Sequence, residues 1–268
     1  MYSYDFSDYI GITVSGSDTE DWLNRILSNK VPNDKKYFGA SVLDYKANPK
    51  MIFFVDKISQ NQYLLILEAD QKEEALKILE DAIFAEDIEL KLLEKIETKV
   101  FVTNSNENIE HNDALFSNKK FSLILSKQDP FAGQNYKALN SKEYKNLRKL
   151  LGIPGLEIMQ KHIIIESDAY LNFVSDDKGC YPGQEVVNKI LSIGQVPKKL
   201  LVLQSESLIS KATEVCFENG KEISDYDSFE FEGQFYFASF VRTKLVQEMS
   251  NQISLLVSGQ KVQCSQVY

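Results

Sequence analysis

The stretch Lys178-Gly179-Cys180-Tyr181-Pro182-Gly183-Gln184-Glu185 is the most informative part of this sequence. It follows a polar run, Ser175-Asp176-Asp177, and precedes apolar residues at helical spacing: Val186, Val187, Ile190 and Leu191. Proline suits the first position of a helix, because its φ is fixed near the helical value and its missing N–H would be unpaired there. The pattern therefore predicts a helix that begins at Pro182, is capped by Tyr181 and ends at Gly194.

Cys180 lies one residue outside the N-terminus of this predicted helix. Unpaired N–H groups, the positive end of the helix dipole and the nearby Lys178 all favour a thiolate over a thiol. Gly179 and Gly183 allow the backbone to fold tightly or to approach a ligand closely. A single Cys is otherwise most often a small buried hydrophobe. The sequence thus leaves two interpretations of Cys180, a reactive thiol and a buried one.

The octapeptide resembles the signature of the folate-binding YgfZ family, which is related to the glycine-cleavage T-protein. That signature reads Lys-Gly-Cys-Tyr-x-Gly-Gln-Glu, and all seven specified positions match. The resemblance implies that the chain binds tetrahydrofolate or another reduced folate. It also implies a function in iron–sulfur cluster assembly or repair, and thereby in tRNA modification. The implied partners are folate and iron–sulfur enzymes or cluster-assembly proteins.

Residue roles follow from the same resemblance. Cys180 would be the reactive thiol, and Lys178 would bias it toward thiolate. The remaining signature residues would form the cofactor-binding loop: Gly179, Tyr181, Gly183, Gln184 and Glu185. Within it, Gln184 and Glu185 would fix the loop by hydrogen bonds.

Weaker traces of the family lie elsewhere in the chain. Asn29 matches the family's Leu-Thr-Asn-Asp-Val element, which implies a cofactor-binding role for it, but Lys30 stands where the family has Asp. The turn at Asn48-Pro49 lacks the family's glycine. Glu166 is retained and could pair with the N–H and amino groups of a pterin ring, as a bidentate acceptor does. The alternative for Glu166 is a charged residue at the surface end of a strand.

Two other functions stay open. One is a folate-dependent aminomethyltransferase of the T-protein type, although the T-protein lacks the cysteine signature. The other is a non-catalytic scaffold that has lost folate binding, which Lys30 and the Asn48-Pro49 turn favour.

Composition narrows the class of protein. The chain has 268 residues, of which 43% are hydrophobic and 26% charged, as in an ordinary globular protein of two or three domains. It shows no apolar run of membrane-spanning length and no signal-peptide pattern, which favours the cytoplasm. A net charge of −9 argues against direct nucleic-acid binding.

Cysteine and histidine are too few and too dispersed for a resident metal site. Cys180, Cys216 and Cys264 have no CxxC spacing, and the only histidines are His111 and His162. We therefore expect neither a disulfide framework nor a self-contained metal site. Cys216 and Cys264 fall in predicted strands and are interpreted as structural.

The order of the predicted elements indicates an α+β fold. A β-α-β-β order suggests a ferredoxin-like module at 46–144, and short strands at regular spacing suggest a C-terminal β-barrel at 196–268. Similarity to the T-protein implies a discontinuous central α/β domain, 1–45 with 145–195. The finer signals are a capping box at Ser17 and Glu20, a helix cap at Ser141, a type I′ turn at Asn219-Gly220, and a surface loop over Asn104–Asn118.

Overall fold

The protein is described here as a computed structural model, which covers residues 1–104, 114–117, 121–210, 213–247 and 252–267. Its strands are β1 (Tyr2–Tyr4), β2 (Tyr9–Ser15), β3 (Tyr37–Leu43), β4 (Pro49–Ser59), β5 (Gln62–Glu68), β6 (Glu89–Leu93), β7 (Lys99–Asn104), β8 (Ala114–Ser117), β9 (Phe121–Ser126), β10 (Lys137–Ala138), β11 (Lys198–Ser205), β12 (Val215–Phe217), β13 (Tyr226–Phe231), β14 (Gln234–Arg242), β15 (Gln252–Val257) and β16 (Gln260–Gln266). Its α-helices are α1 (Thr19–Ile26), α2 (Lys72–Glu80), α3 (Ser141–Leu151), α4 (Leu156–Met159), α5 (Gln184–Ile193) and α6 (Thr243–Gln247).

The strands form three sheets. The central sheet has the order β3-β4-β5-β2-β6, and all its pairs are antiparallel. The middle sheet has the order β10-β1-β7-β9-β8, in which β1 and β10 are parallel. The barrel sheet has the order β12-β15-β16-β11-β14-β13 and is antiparallel throughout. The α+β class predicted from the sequence is therefore confirmed.

The central sheet is covered on both faces. Residues 51–55 of β4 are all buried, as in a strand with no solvent-facing side. From α1, Trp22, Leu23 and Ile26 belong to the same hydrophobic core. A second core lies within the barrel sheet and includes Leu203 and Phe237. A chain of this length is thus stabilised by two separate hydrophobic cores and does not need a single large one.

Several predicted caps and turns are wrong in detail. The Ser17 hydroxyl donates to Asp87 at 2.9 Å, so no capping box forms at α1. Asn140 caps α3 and forms a reciprocal capping box with Glu143, so Ser141 is the first helical residue. A capping signal is present in the sequence at both helices. Whether a given side chain caps its helix depends on the hydrogen-bond partner that it meets in the folded chain.

The predicted type I′ turn is also displaced. At Asn219-Gly220 only the glycine has a positive φ, 78°, whereas a type I′ turn needs positive φ at both central residues. That condition is met at Glu232-Gly233 and at Ser258-Gly259. The twist of these two hairpins overrides the preference of Glu and Ser for negative φ.

The predicted loop Asn104–Asn118 falls mostly outside the described residues, and so does His111. The described part of it contains β8, which pairs with β9, so a strand stands where we predict loop. The predicted domain boundaries stay a prediction. Strands on both sides of residue 45 share the central sheet, since β3 pairs with β4 and β2 with β5. Within the described residues, no helix is long and apolar enough to cross a membrane.

Candidate functional site

Helix α5 begins at Gln184, two residues later than predicted. Gly183 is its N-cap residue, with φ 80° and ψ −5°, and the Gln184 N–H donates to the Tyr181 carbonyl at 3.2 Å. These angles and this bond are typical of a type II turn with Pro182 at its second position. Proline therefore starts the turn and does not start the helix. Cys180 lies four residues before α5, so its predicted position next to the helix N-terminus is wrong.

The two glycines of the signature are used differently. A Cβ on Gly183 would lie 2.5 Å from the Asp44 carbonyl oxygen and 3.0 Å from the Ala47 Cα, and its φ also disfavours any L side chain. Gly183 thus allows the close backbone approach that the sequence predicts. A Cβ on Gly179 would meet nothing within 4 Å, so no contact among the described residues requires glycine there, and its close approach to a ligand stays a prediction.

The turn formed by Asp44–Asn48 packs against the signature. Ala47 is fully buried with φ 65°, and its carbonyl accepts the Ile164 N–H at 3.0 Å. The Asp44 carboxylate accepts the N–H groups of Lys46 and Asn48, each at 2.8 Å. Because Gly183 packs against this turn, the position of the signature is fixed by buried backbone.

Lys178 binds the end of α1. Its ammonium group donates to the Leu27 carbonyl and, at 3.1 Å, to the Asn29 carbonyl. It also lies 4.9 Å from the centre of the Tyr181 ring. A cation at a helix C-terminus is favoured by the helix dipole. Burial lowers the pKa of Lys178 to about 8. The influence of Lys178 on the Cys180 thiol stays a prediction, and its observed contacts are with the α1 terminus.

Two of the other signature side chains are hydrogen-bonded to the loop, and one is exposed to solvent. The Gln184 amide donates to the Lys178 carbonyl at 3.2 Å, so it fixes the loop as predicted. Tyr181 is buried, its hydroxyl donates to the Ser175 carbonyl at 3.3 Å, and burial raises its pKa to about 12. Glu185 is exposed on the first turn of α5 and, among the described residues, makes no hydrogen bond or ion pair with the loop. A loop-fixing role for Glu185 is not supported.

Cys180 is exposed, unlike the other two thiols. Cys264 is buried, and burial raises its pKa to about 11, while Cys216 is half-buried and burial beside Glu214 and Glu222 raises its pKa. The buried interpretation of Cys180 is therefore wrong. All three cysteines are free.

Cys180 opens into a cleft of about 850 Å³, which we call the Cys180 cleft. Its floor is apolar and includes Ile26, Val42 and Leu43. Two strongly exposed aromatic side chains, Tyr45 and Phe84, also line it. Its full lining is Arg25, Ile26, Val42, Leu43, Asp44, Tyr45, Lys50, Ile78, Asp81, Ala82, Phe84, Cys180, Tyr181 and Pro182.

Asn29 lies in a different cleft, of about 570 Å³, which we call the Asn29 cleft. The Asn29 amide donates to the carbonyls of Gly39 at 2.8 Å and Asn172 at 2.9 Å. Its side-chain oxygen accepts the Lys30 N–H at 2.9 Å. The full lining is residues 29–35, residues 37–39, Leu115, Asn172, Ser175 and Asp177. Asn29 therefore lines one cleft, and Cys180 and Tyr181 line the other. The remaining predicted signature residues line neither of these two clefts: Lys178, Gly179, Gly183, Gln184 and Glu185.

The Asn29 cleft offers mixed chemistry. Phe38, Val31 and Leu115 are buried and present apolar surface. Asp177 pairs with Lys30 at 3.5 Å across exposed side chains, and the Ser175 hydroxyl and Lys30 hold the pKa of Asp177 below its usual value. Carboxylate, ammonium and apolar groups thus occur together there.

Glu166 lies outside the lining of both clefts. It ends a short 3-10 helix, Ile164–Glu166, and is buried, so its interpretation as an exposed strand end is wrong. Its carboxylate lies 3.0 Å from His162 Nδ1, and the His162 ring stacks on Phe240 with centroids 3.6 Å apart. We call His162, Glu166 and Phe240 the Glu166 junction. Sequence reasoning missed His162, although its i, i+4 spacing to Glu166 was a usable signal.

A second buried ionic cluster holds the segment that leads to this junction. Arg148 donates to Glu68 and to the Tyr9 hydroxyl, each at 2.6 Å, and to the Ile153 carbonyl at 3.0 Å. The Tyr170 hydroxyl donates to the Pro154 carbonyl at 2.5 Å. These polar groups satisfy one another in the interior, so we assign them a structural role.

In the part of the chain that the structure describes, no group of three or more His, Cys, Asp or Glu side chains could hold a metal ion.

Comparison with known proteins bears on the fold. No protein-family model and no curated protein matches the chain. Among solved structures, the chain is similar to glycine cleavage system aminomethyltransferase T from Bartonella henselae, with a TM-score of 0.67 at 11% sequence identity. The match covers 99% of this chain and 84% of that one. The chain therefore has a T-protein-like α+β fold, which confirms the predicted fold class.

Proposed function

We propose that this protein binds a reduced folate and supports iron–sulfur cluster assembly or repair, with Cys180 as its reactive thiol. One observation carries the proposal: a T-protein-like fold presents an intact Lys-Gly-Cys-Tyr-Pro-Gly-Gln-Glu segment with its thiol exposed. The fold supports folate binding, and the signature supports the cluster-related function. Through cluster-dependent enzymes, the same function would support tRNA modification.

The Asn29 cleft is the better place for the folate. Its apolar surface suits the flat faces of a pterin and a benzoyl ring, since ligand pockets combine apolar walls with a few polar groups. The carboxylate of Asp177 can accept hydrogen bonds from the pterin N–H and amino groups. The ammonium groups of Lys30 and Lys35 would attract the glutamate carboxylates. Glu166 remains a predicted pterin ligand, but only if its pairing with His162 opens.

The Cys180 cleft is the better place for a partner protein. Its exposed aromatic side chains and apolar floor are typical of surfaces that bind another molecule. In this proposal, an iron–sulfur enzyme or assembly protein brings its cluster, or a cluster ligand, to the Cys180 thiol. The cluster is then cargo and not a resident cofactor.

Folate binding is tested by titrating the purified protein with 5-formyltetrahydrofolate, a stable reduced folate. Calorimetry gives the affinity, and the melting temperature gives an independent readout. At about 100 times the Kd, the ligand stabilises the native state by ~2.7 kcal/mol. Asp177→Asn should weaken binding about tenfold, which is ~1.4 kcal/mol. Asp176→Asn, which changes the neighbouring exposed carboxylate outside the cleft lining, is the matched control. No binding at saturation would favour the scaffold.

The thiol is tested separately. A thiol-alkylating reagent should modify Cys180 before Cys216 and Cys264, as mapped by mass spectrometry, because only Cys180 is exposed. Cys180→Ala should keep the fold and folate affinity but abolish support of cluster-dependent enzymes in cells. Earlier labelling of Cys264 would contradict the assignment.

The T-protein-like fold also favours a second candidate, aminomethyl transfer to a folate. It predicts methylene-tetrahydrofolate and ammonia formation from an aminomethylated lipoyl carrier protein. We expect no turnover, and turnover that persists in Cys180→Ala would place the transferase first.

A further inference from the structure

The two clefts share the segment that ends α1. Arg25 and Ile26 line the Cys180 cleft, whereas Asn29, Lys30 and Val31 line the Asn29 cleft. Only two residues, 27 and 28, separate the two linings in sequence. Anything that displaces this segment therefore acts on both clefts.

The loop before Cys180 is fastened to the same segment. The Ser175 N–H donates to the Ser28 carbonyl at 3.0 Å. Lys178 donates to the carbonyls of Leu27 and Asn29. Ser28 is itself fixed, because its hydroxyl donates to the Phe173 carbonyl at 2.7 Å and accepts the Ser41 N–H at 2.9 Å. The loop thus follows the end of α1.

Lys178 is the strongest of these links near the thiol. The Lys30–Asp177 pair is 52% and 70% exposed, and an exposed ion pair contributes little. The Lys178 ammonium is half-buried and donates to two carbonyls, and hydrogen bonds to a charged group are stronger than neutral ones. Lys178 is also only two residues from Cys180.

Asn29 connects the ligand side to this link. Its side chain lines the Asn29 cleft and bonds to Gly39 and Asn172, while its own carbonyl accepts from Lys178. A ligand that fixes Asn29 therefore also fixes the carbonyl that holds Lys178.

We propose that Lys178 couples occupancy of the Asn29 cleft to the exposure of the Cys180 thiol, as a positioning residue. The inference rests on the proposed folate binding, which it extends with a regulatory link. A folate in the Asn29 cleft holds Asn29, Lys178 and the loop together, and this makes Cys180 less reactive. Release of the folate loosens the loop and makes the thiol available to a partner.

The ligand test measures the rate of Cys180 alkylation by iodoacetamide with and without saturating 5-formyltetrahydrofolate. In the wild type we expect about fivefold slower alkylation, at the lower end of typical couplings between sites. In Lys178→Met the ratio should fall to about one while calorimetry still shows folate binding. If alkylation holds the loop in its loosened form, alkylated wild-type protein should also bind folate more weakly than the unmodified protein, and alkylated Lys178→Met should bind it as its unmodified form does. A purely structural role for Lys178 would leave these ratios unchanged.

A second test needs no ligand. Asn29→Ala removes the amide that fixes the cleft wall, so it should change the alkylation rate in the wild type but not in Lys178→Met. Such non-additivity in a double-mutant cycle measures the coupling directly. If folate does not bind at all, the proposed function fails and this cycle alone decides the inference, with additive effects overturning it.

Controls separate coupling from damage to the fold. Lys178→Arg keeps a cation at the α1 terminus and should restore most of the folate effect on alkylation. Lys189→Met removes an exposed lysine from α5 and should keep the fivefold ratio. Thermal melts confirm that each variant is folded. A folate effect that persists in folded Lys178→Met overturns the proposal.

Discussion

The signature and the short 3-10 helix that ends at Glu166 lie against the same turn, but they differ in their exposure to solvent. Gly183 packs on Asp44 and Ala47, and the Ile164 N–H bonds to the Ala47 carbonyl. Beyond that turn, Cys180 is exposed at a cleft, whereas Glu166 is buried against His162. One rigid backbone feature thus supports an open site and a closed one. The two sites differ because the Glu166 carboxylate has a hydrogen-bond partner inside the protein, whereas the Cys180 thiol is exposed to solvent.

Glu166→Ala is the strongest test of the closed site. It leaves the buried His162 ring without its hydrogen-bond partner, and a buried polar group left unpaired costs up to about 3 kcal/mol of unfolding free energy. Urea unfolding measures this loss. Asp168→Ala removes an exposed carboxylate paired with Lys199 at 3.1 Å, and as the control it should cost less than about 0.5 kcal/mol. If Glu166→Ala instead abolished folate binding with little loss of stability, the junction would belong to the ligand site.

Gly183→Ala tests how firmly the open site is held. The added Cβ would clash with the Asp44 carbonyl, and the positive φ adds strain, so we expect a loss of about 2 kcal/mol. Gly179→Ala is the matched change four residues earlier, where a Cβ meets nothing. Its unfolding free energy should stay within about 0.5 kcal/mol of the wild type. Equal losses for the two variants would mean that the turn does not fix the signature.

Lys178→Met should cost about 1 kcal/mol at neutral pH, because two carbonyls lose a donor. The pH dependence is more specific. The folded-state pKa, about 8, lies below the usual 10.5, so the unfolded chain binds more protons between these values. The contribution of Lys178 to stability therefore rises with pH from about 8 to 10.5. The difference in unfolding free energy between wild type and Lys178→Met should grow over that window, and a flat difference would contradict the burial of this ammonium.

Ala47→Gly should have the smallest effect and the opposite sign. Relief of a positive φ of 65° outweighs the greater freedom of glycine in the unfolded chain, and the net gain is about 0.5 kcal/mol. Thermal melting would measure it. A loss of stability would mean that the buried methyl group, not the backbone angle, dominates at this turn.

The regular elements were predictable because their signal is local. Helical spacing at Val186, Val187, Ile190 and Leu191 predicts the helix observed as α5, and Gly194 caps its C-terminus as expected. The T-protein-like fold was predicted from one octapeptide, because that octapeptide resembles the signature of a family related to the T-protein. Hydrophobic periodicity predicted individual elements, and the resemblance to a known family predicted how those elements are arranged.

The predictions that were wrong concerned features that depend on contacts between residues far apart in the sequence. The helix start moved from Pro182 to Gln184 because Gly183 must pass close to Asp44, which no local rule encodes. Lys178 reaches carbonyls about 150 positions earlier, and so its partners could not be read from neighbouring residues. Asn29 and Cys180 were assigned to one site because similarity in sequence carries no information about which cleft a side chain faces.

The light anchoring of α5 has a consequence for local opening. Among its described residues only Val187 is fully buried, whereas α1 buries Thr19, Trp22, Leu23 and Ile26. Free energies of local opening follow the apolar contact that each element makes. Amide hydrogens of α5 should therefore exchange with deuterium well before those of α1. Helix α5 would then open locally as a separate unit, and a protease added to the native protein would cut within α5 before it cuts within α1.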